Sequence, residues 1–473
     1  MATYENLPGF SSVFKDGGLS KAAERTVTKS VLILGEADSA TAGSYPVNQP
    51  LAVRDKLELV EKTYGNGIIY KQAIEAYNAG CRDIRVCAIE SNMTEYNVSM
   101  NTSHSVDSMN GDTLPVSGDP GTEGSIVVAV DASITDIDTT TVVVKDVDGN
   151  VVQQGSTDPA YDSVSDTLTI SLDPESGVAD GDELSIYFED TIVPDLYHKF
   201  AKAYDYLVNY EVDIVVPVGV HVDDSTYDYG MQLAKHCARA SESTKETVGV
   251  IGTSLVDPTQ SPTLPLVKDH VDSLNGLSIN YEHNGEDLGR LVNIVQAEII
   301  HAGEPLSGVG AYAGLLSTLQ PKSAPTNKAV PVKLRYDLSM AQLNALAGNK
   351  IVSFRRKGNL VVVTDAPTAA QPSSDYSRYS TVAIVNDCVN AIRQAGERFI
   401  GEGMDIPQEN ALATAIDDVL ARRQEEGSLR NYAFNLVISP RDRVSGNATI
   451  ELSLVPAFEL RRISIEVKLR PEL

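Results

Sequence analysis

The run Ser30-Val31-Leu32-Ile33-Leu34-Gly35 is unbroken apolar chain closed by a glycine, the pattern of a strand buried on both faces. Further on, Asp83-Ile84-Arg85-Val86-Cys87-Ala88-Ile89 alternates and is rich in β-branched residues, so it reads as a second strand. Two helical segments lie between them, near 56–64 and over 70–79, the latter stopped by Gly80. Strand, helices, strand in that order specify an α/β layer. Upstream, residues 1–28 carry Pro8-Gly9 and Gly17-Gly18 and no sustained period, which predicts an extended arm.

Working outward, the character changes after Ser91. Short Val- and Thr-rich segments at 125–130, 140–144, 151–154, 167–172 and 183–188 are separated by turn clusters such as Asp148-Gly149-Asn150. Regular short strands with no helix between them predict a β-sandwich. The α/β pattern then resumes: helix 197–210, strand 212–218, helix 227–241, strand 246–251, and an ambiguous alternation over 288–301. The last third adds a short helix (339–347), a hairpin around Lys357-Gly358, long helices over 379–399 and 408–426, and strands at 432–439 and 448–455. Over 461–469, Ile463, Ile465, Val467 and Leu469 alternate with polar residues, so a half-exposed terminal strand is expected, able to add to a neighbour's sheet edge.

These readings give an α/β (α+β) core with an inserted all-β sandwich domain and extended N- and C-terminal arms. The divisions are an N-terminal arm (1–28), a first core part (29–92), the insertion (93–190), a second core part (191–335), a C-terminal α/β domain (336–460) and a C-terminal arm strand (461–473).

Composition narrows the function. The 473-residue chain is 42% hydrophobic with a net charge of -27. That balance argues against a nucleic-acid groove, which needs clustered Lys and Arg. The acid is concentrated: residues 93–190 hold about twenty Asp and Glu against one basic residue, Lys145, the mark of a separate solvated unit. No apolar run is long enough to span a bilayer, and the first residues show no secretion signal.

Chemical motifs are sparse. Gly308-Val309-Gly310-Ala311-Tyr312-Ala313-Gly314 superficially suggests a phosphate loop, but the third glycine is misplaced and a packed turn is expected. Asp146-Val147-Asp148-Gly149-Asn150 resembles half a calcium loop, yet the twelfth position is Thr157, and a hairpin turn accounts for Asp-Gly. There is no G-x-S-x-G elbow and no H-E-x-x-H. His236-Cys237 is the one close His–Cys pair, and adjacent helical residues face different ways. No catalytic residue, cofactor site or metal site is assigned. Cys81, Cys87, Cys237 and Cys388 lack C-x-x-C spacing; buried free thiols are the default, with bridges between subunits as the alternative. Asp417, Asp418, Arg422 and Arg423 share one late helix, either a solvated face or a contact surface working by charge complementarity.

Taken in order, Leu7-Pro8-Gly9, Val31 to Ala37, Val47-Asn48-Gln49-Pro50, Tyr64-Gly65-Asn66 and Ala76-Tyr77-Asn78-Ala79-Gly80 resemble the opening of the contractile phage tail sheath family. Leu338 to Asn344, the hairpin with Gly358, Asp365-Ala366-Pro367, Phe399-Ile400-Gly401 and the strand over 463–469 continue the resemblance, while the family's frequent Gly-rich run in the hairpin is replaced by Leu360 to Pro367. The resemblance implies a virion subunit made in the host cytoplasm. It would form hexameric rings stacked helically around a tail tube, end at baseplate and terminator proteins, and contract during genome ejection. It would touch neither nucleic acid nor membrane directly. It also implies arms that add strands to neighbouring subunits; the candidates here are Leu7, Phe10, Val13 and Phe14 at one end and Ile463, Ile465, Val467 and Leu469 at the other. The acidic insertion would sit outside, away from like charges around the tube. A tailocin or bacterial injection-system sheath shares these features. An α/β enzyme with an accessory β-domain would need a convergent acid/base or metal constellation, and a surface adhesin a signal peptide.

Overall fold

A computed structural model describes residues 22–23, 29–37, 48–53, 56–89, the strands within 96–192, and 196–243, 245–403, 405–461 and 463–464. Along the chain come β1 (Ala22–Ala23), β2 (Ser30–Glu36), β3 (Leu51–Ala52), α1 (Leu57–Tyr64), α2 (Ile68–Asn78) and β4 (Asp83–Ile89). The all-β stretch holds β5 (Tyr96–Ser105), β6 (Ser125–Ala129), β7 (Ile137–Asp146), β8 (Val151–Gln154), β9 (Ala160–Asp162), β10 (Thr167–Ser171) and β11 (Glu183–Ile192). Next are α3 (Leu196–Leu207), β12 (Ile214–Pro217), α4 (Tyr229–Ser243), β13 (Val248–Gly252) and α5 (Leu264–Asn275). The hairpin β14 (Glu282–His283) and β15 (Glu286–Asp287), β16 (Val292–Gln296), the hairpin β17 (Glu298–His301) and β18 (Glu304–Ser307), and α6 (Val309–Thr318) follow. The chain ends with β19 (Ala329–Val330), α7 (Met340–Gly348), β20 (Ile351–Lys357), β21 (Leu360–Val363), α8 (Tyr379–Gly396), α9 (Ile406–Glu425), β22 (Gly427–Val437), α10 (Pro440–Ser445) and β23 (Thr449–Pro456).

The chain divides into two compact units, 92–199 and the remainder. The smaller unit contains two antiparallel sheets, ordered β5-β11-β7-β8 and β6-β10-β9. The half-calcium-loop reading falls between β7 and β8, which pair antiparallel at Lys145 and Val151; the turn itself lies outside the described residues.

The larger unit is built on a nine-stranded sheet ordered β19-β21-β20-β16-β13-β12-β2-β4-β3. From β20 to β4 every pairing is parallel, and the edges β3, β21 and β19 run antiparallel. The central parallel strands β2, β12 and β13 are buried on both faces, which is why they read as continuous apolar runs rather than alternations. The sequence reading placed the 351–363 hairpin in a separate C-terminal domain; β20 and β21 instead extend the core sheet, joined through Ile294 to Ile351 and Val295 to Val352.

Two corrections concern helices. The Gly308–Gly314 segment is not a turn. It opens α6, a helix whose first nine residues are all buried. A helix apolar on every side has no 3.6-residue polar stripe, so periodicity cannot reveal it. Its glycines serve close packing: a Cβ on Gly310 would stand 2.5 Å from the Gln72 carbonyl, and one on Gly314 would run into the Ala76 carbonyl of α2. Gln72 caps the helix start, its Oε1 accepting from Gly310 N at 2.9 Å and its Nε2 donating to Ser307 O at 2.9 Å, so the backbone amide that a phosphate would use is occupied. The second correction is α5, which the sequence reading did not see. Val267, Val271 and Leu274 bury one face of it, Pro265 stands in its first turn and Gly276 ends it.

The four thiols are free and buried. Burial pushes the Cys87 thiol up to about 12 and raises those of Cys81, Cys237 and Cys388. A bridge between subunits needs a sulfur at the surface, and each of these sits at 0% exposure in the core, so the alternative considered from the sequence lacks its geometric basis.

Candidate assembly interface

The C-terminal layer is a helix pair carrying a small sheet. Ile384, Cys388 and Ile392 of α8 pack against Leu412, Ile416 and Leu420 of α9, with Leu429 of β22 and Leu454 of β23 completing the cluster. Two charge pairs tie it down. Arg423 of α9 bonds Asp387 of α8 at 3.0 and 3.3 Å. Arg393 of α8 bonds Glu246 at 3.0 Å and the Ser241 carbonyl at 2.6 Å, linking the layer to the core. The Glu246 carboxylate is fully buried, so the pair is geometrically obligatory once α8 docks.

The sheet on this layer has the order β1-β22-β23. β1 is the described remnant of the expected N-terminal arm, and it pairs antiparallel with β22 of its own chain, Ala22 to Ser428 and Ala23 to Gly427. β23 pairs with β22 on one side only, and among the described residues nothing pairs with its other side. Phe434, Leu436, Ile450 and Leu452 point at the helices yet remain only half-buried. An edge with free N–H and C=O groups beside a partly covered apolar face is a template for strand addition.

Beyond Pro456 the backbone is held by charge. Glu459 accepts from Ser380 Oγ at 3.3 Å and Thr326 Oγ1 at 3.4 Å. Arg461 donates to Asp365 Oδ2 at 2.8 Å, and Asp365 also accepts from Arg378 at 2.7 Å. Burial raises the Glu459 carboxyl, against the pull of Arg378 and Arg461. Glu459 turns inward while Arg461 reaches Asp365 along the surface, and Phe458 and Leu460 face solvent at 67% and 80% exposure. Ile463 is 73% exposed, and Arg461, Ile463 and Ser464 are not in a strand; the rest of the expected 461–469 strand lies outside the described residues. Leu7, Phe10, Val13, Phe14, Ile465, Val467 and Leu469 lie outside the described residues.

The late-helix charges separate. Asp418 and Arg422 are exposed; Asp417 is exposed and accepts from Tyr432 Oη at 2.8 Å. Arg423 is 8% exposed and committed to Asp387, so it is removed from the contact candidates.

Strand order reverses between β2 and β12, the crevice where doubly wound folds hold ligands. Here it is filled: a Cβ on Gly35 would stand 2.5 Å from Val218 Cγ2, and Val218 N donates to Leu34 O at 2.8 Å. Next to it, Asp223 Oδ2 accepts from Ser254 Oγ at 2.5 Å, and His221 Nδ1 lies 3.2 Å from Asp223 Oδ1. Burial pushes the Asp223 carboxyl up, but His221 and Ser254 together hold it at about 2. A serine nucleophile must give its proton to the imidazole. In this arrangement the carboxylate stands between them, a structural link and not an activated hydroxyl. Among the described residues no three His, Cys, Asp or Glu side chains gather as metal ligands, and no helix is long and apolar enough to cross a membrane.

No family model matches the sequence, and no curated protein matches it. Solved structures do. A chain of the anti-feeding prophage baseplate is similar with a TM-score of 0.56 at 11% identity, covering 98% of this chain and 99% of that one. The sheath of the PVC extracellular contractile injection system, in its contracted state, gives 0.53 at 11% identity over 100% and 99%. The contracted helical sheath of the anti-feeding prophage gives 0.50 at 12% identity over 98% and 99%. The fold of this chain is the contractile-sheath fold, carried over essentially its whole length, and these similar structures are structural assemblies rather than enzymes.

Proposed function

We propose that this protein is a structural subunit of a contractile sheath. It polymerises as stacked six-membered rings around a tail tube, joins a baseplate and a terminator at the ends, and contracts to drive the tube through an envelope. The observation that carries the reading is the three-stranded β1-β22-β23 sheet, whose β23 edge has no partner among the described residues, on a full-length sheath fold, followed by exposed Phe458, Leu460 and Ile463. Copies linked by added strands stay connected while they move as rigid bodies, and the extended polymer stores free energy as poorer contacts than the contracted one makes. We read the two antiparallel sheets of 92–199 as a β-sandwich on the outside of the assembly.

Electron microscopy of the purified chain at high concentration tests this. Ordered tubes of stacked rings are expected, and removal of 1–28 or of 461–473 is expected to leave folded monomer without tubes. A chain that stays monomeric with and without a tube protein overturns the reading. A phage tail and an extracellular injection machine are both consistent with it. The similarity to the anti-feeding prophage and PVC structures favours the second as an alternative assembly, distinguished by whether the purified particle carries a DNA-filled head.

A further inference from the structure

The chain is acidic overall, with a net charge of -27, and one stretch stands out as strongly basic. Residues 322–357 hold eight Lys and Arg against one acid, Asp337. Three of the eight turn inward or bond locally: Arg335 is buried on Glu298, Lys350 donates to Ile279 O, and Lys322 is half-buried. Of the other five, Lys328, Arg355, Arg356 and Lys357 gather at the β19–β21–β20 edge of the nine-stranded sheet, and Lys333 follows β19 by three residues. Register fixes their proximity. Arg355 pairs with Val362, Val362 pairs with Ala329, and Lys328 precedes Ala329 directly. Two strand spacings, about 10 Å, therefore separate Arg355 from the β19 edge, and Lys357 stands about 7 Å further along β20. Lys328, Lys333, Arg356 and Lys357 are exposed. Arg356 takes the one local carboxylate, Asp337, at 3.1 Å; Arg355 bonds a neutral partner, Asn327 Oδ1, at 2.9 Å. Among the described residues no carboxylate pairs with Lys328, Lys333, Arg355 or Lys357.

The opposite patch is on the same chain. Residues 93–190 carry about twenty acids and one base, so they account for most of the net charge of -27. Packing identical chains of that charge is opposed by repulsion, since at physiological salt screening acts over about 8 Å and neighbouring subunits touch. A polymer of such chains gains most if the acidic unit of one copy faces the basic sheet end of the next.

We infer that the basic end of the β19–β21–β20 edge is the docking surface for the acidic 92–199 unit of an adjacent copy, a charge contact between subunits distinct from strand addition. This rests on the self-assembly proposed above. It also assigns the insertion a role in lateral cohesion, where decoration alone would leave assembly insensitive to its charge.

The test is carbodiimide cross-linking of tubes grown from an equal mixture of isotopically light and heavy full-length chain. Mixed-isotope links from Lys328, Lys333 or Lys357 to acids of 93–190 are the expected result. The variant R355E/R356E/K357E is expected to raise the concentration needed for tube growth by about tenfold or more. Its fold is checked by an unchanged circular dichroism spectrum, and R355Q/R356Q/K357Q supplies a milder version. Tubes that form but yield no such links, or only links within one copy, overturn the inference and leave the sheath reading intact. Tubes whose growth is indifferent to both variants do the same. Absence of any tubes, with and without a tube protein, overturns the sheath reading and this inference with it.

Discussion

Arg335 shows how single side chains hold the core unit together. Its guanidinium donates to Glu298 Oε2 at 2.7 Å, to Val256 O at 2.5 Å, and to the Asp257 and Gln260 carbonyls at 2.9 and 2.5 Å. Glu298 in turn accepts from Val256 N and Tyr336 Oη. Arg335→Ala would leave the buried Glu298 carboxylate without its counter-charge and three carbonyls without this donor, and a loss of about 3–5 kcal/mol is expected, measurable as a lower urea midpoint. His236 makes a pH prediction. Burial lowers its pKa to about 4, and its ring stacks on Tyr204 with centroids 4.5 Å apart. Because the unfolded chain binds this proton near pH 6.5 and the folded chain only near pH 4, stability is full above 6.5 and falls as pH drops between the two. The slope is about 1.4 kcal/mol per pH unit, and His236→Gln is expected to remove it from the difference between the two proteins' pH–stability curves. At this scale the sequence was a poor guide. Arg423 sits beside exposed Arg422 and looks identical to it, yet helix rotation by one residue sends it inward to Asp387.

Elements were more legible than contacts. Helices with a polar face and a stop signal, such as α8 and α9, could be read within a few residues, and Ser339 with Gln342 forms the capping box that starts α7. α6 could not, since its burial on all sides erases periodicity, and α5 was overlooked although Val267, Val271 and Leu274 keep helical spacing. The close approach of α6 to α2 gives the element-scale prediction. Gly314→Val would push side-chain carbon into the Ala76 backbone, and a loss of at least about 1–3 kcal/mol is expected by thermal or urea unfolding. Gly348→Val, at a glycine with open space around its Cβ direction, serves as the control.

For the whole molecule, the order of strands was the part hidden from sequence. Local pattern marks strands at 30–35, 83–89, 212–218 and 350–354, but not that β12 returns to the far side of β2 or that β20 closes onto β16. Those adjacencies are set by packing between segments far apart in the chain. The change of character after Ser91 was visible, because composition shifts there as well as pattern. Two compact units of such different make-up predict two calorimetric transitions in the full chain. Excising 93–190 is expected to remove one transition and keep the other within a few degrees; a single merged transition would show the units to be thermodynamically inseparable.

The strand Ala22–Ala23 spans only two residues of β22, and it belongs to the same chain. Whatever hydrogen bonds it makes there, the same two residues of a second molecule could make equally well, so exchanging one for the other is nearly neutral in enthalpy. What favours the internal partner is its tether, which for a short linker acts as an effective concentration in the millimolar range. Dilute protein therefore keeps Ala22–Ala23 on its own Gly427–Ser428. Crowding on a growing lattice raises the competing concentration above that threshold, and the same backbone groups then connect separate molecules with no new chemistry required.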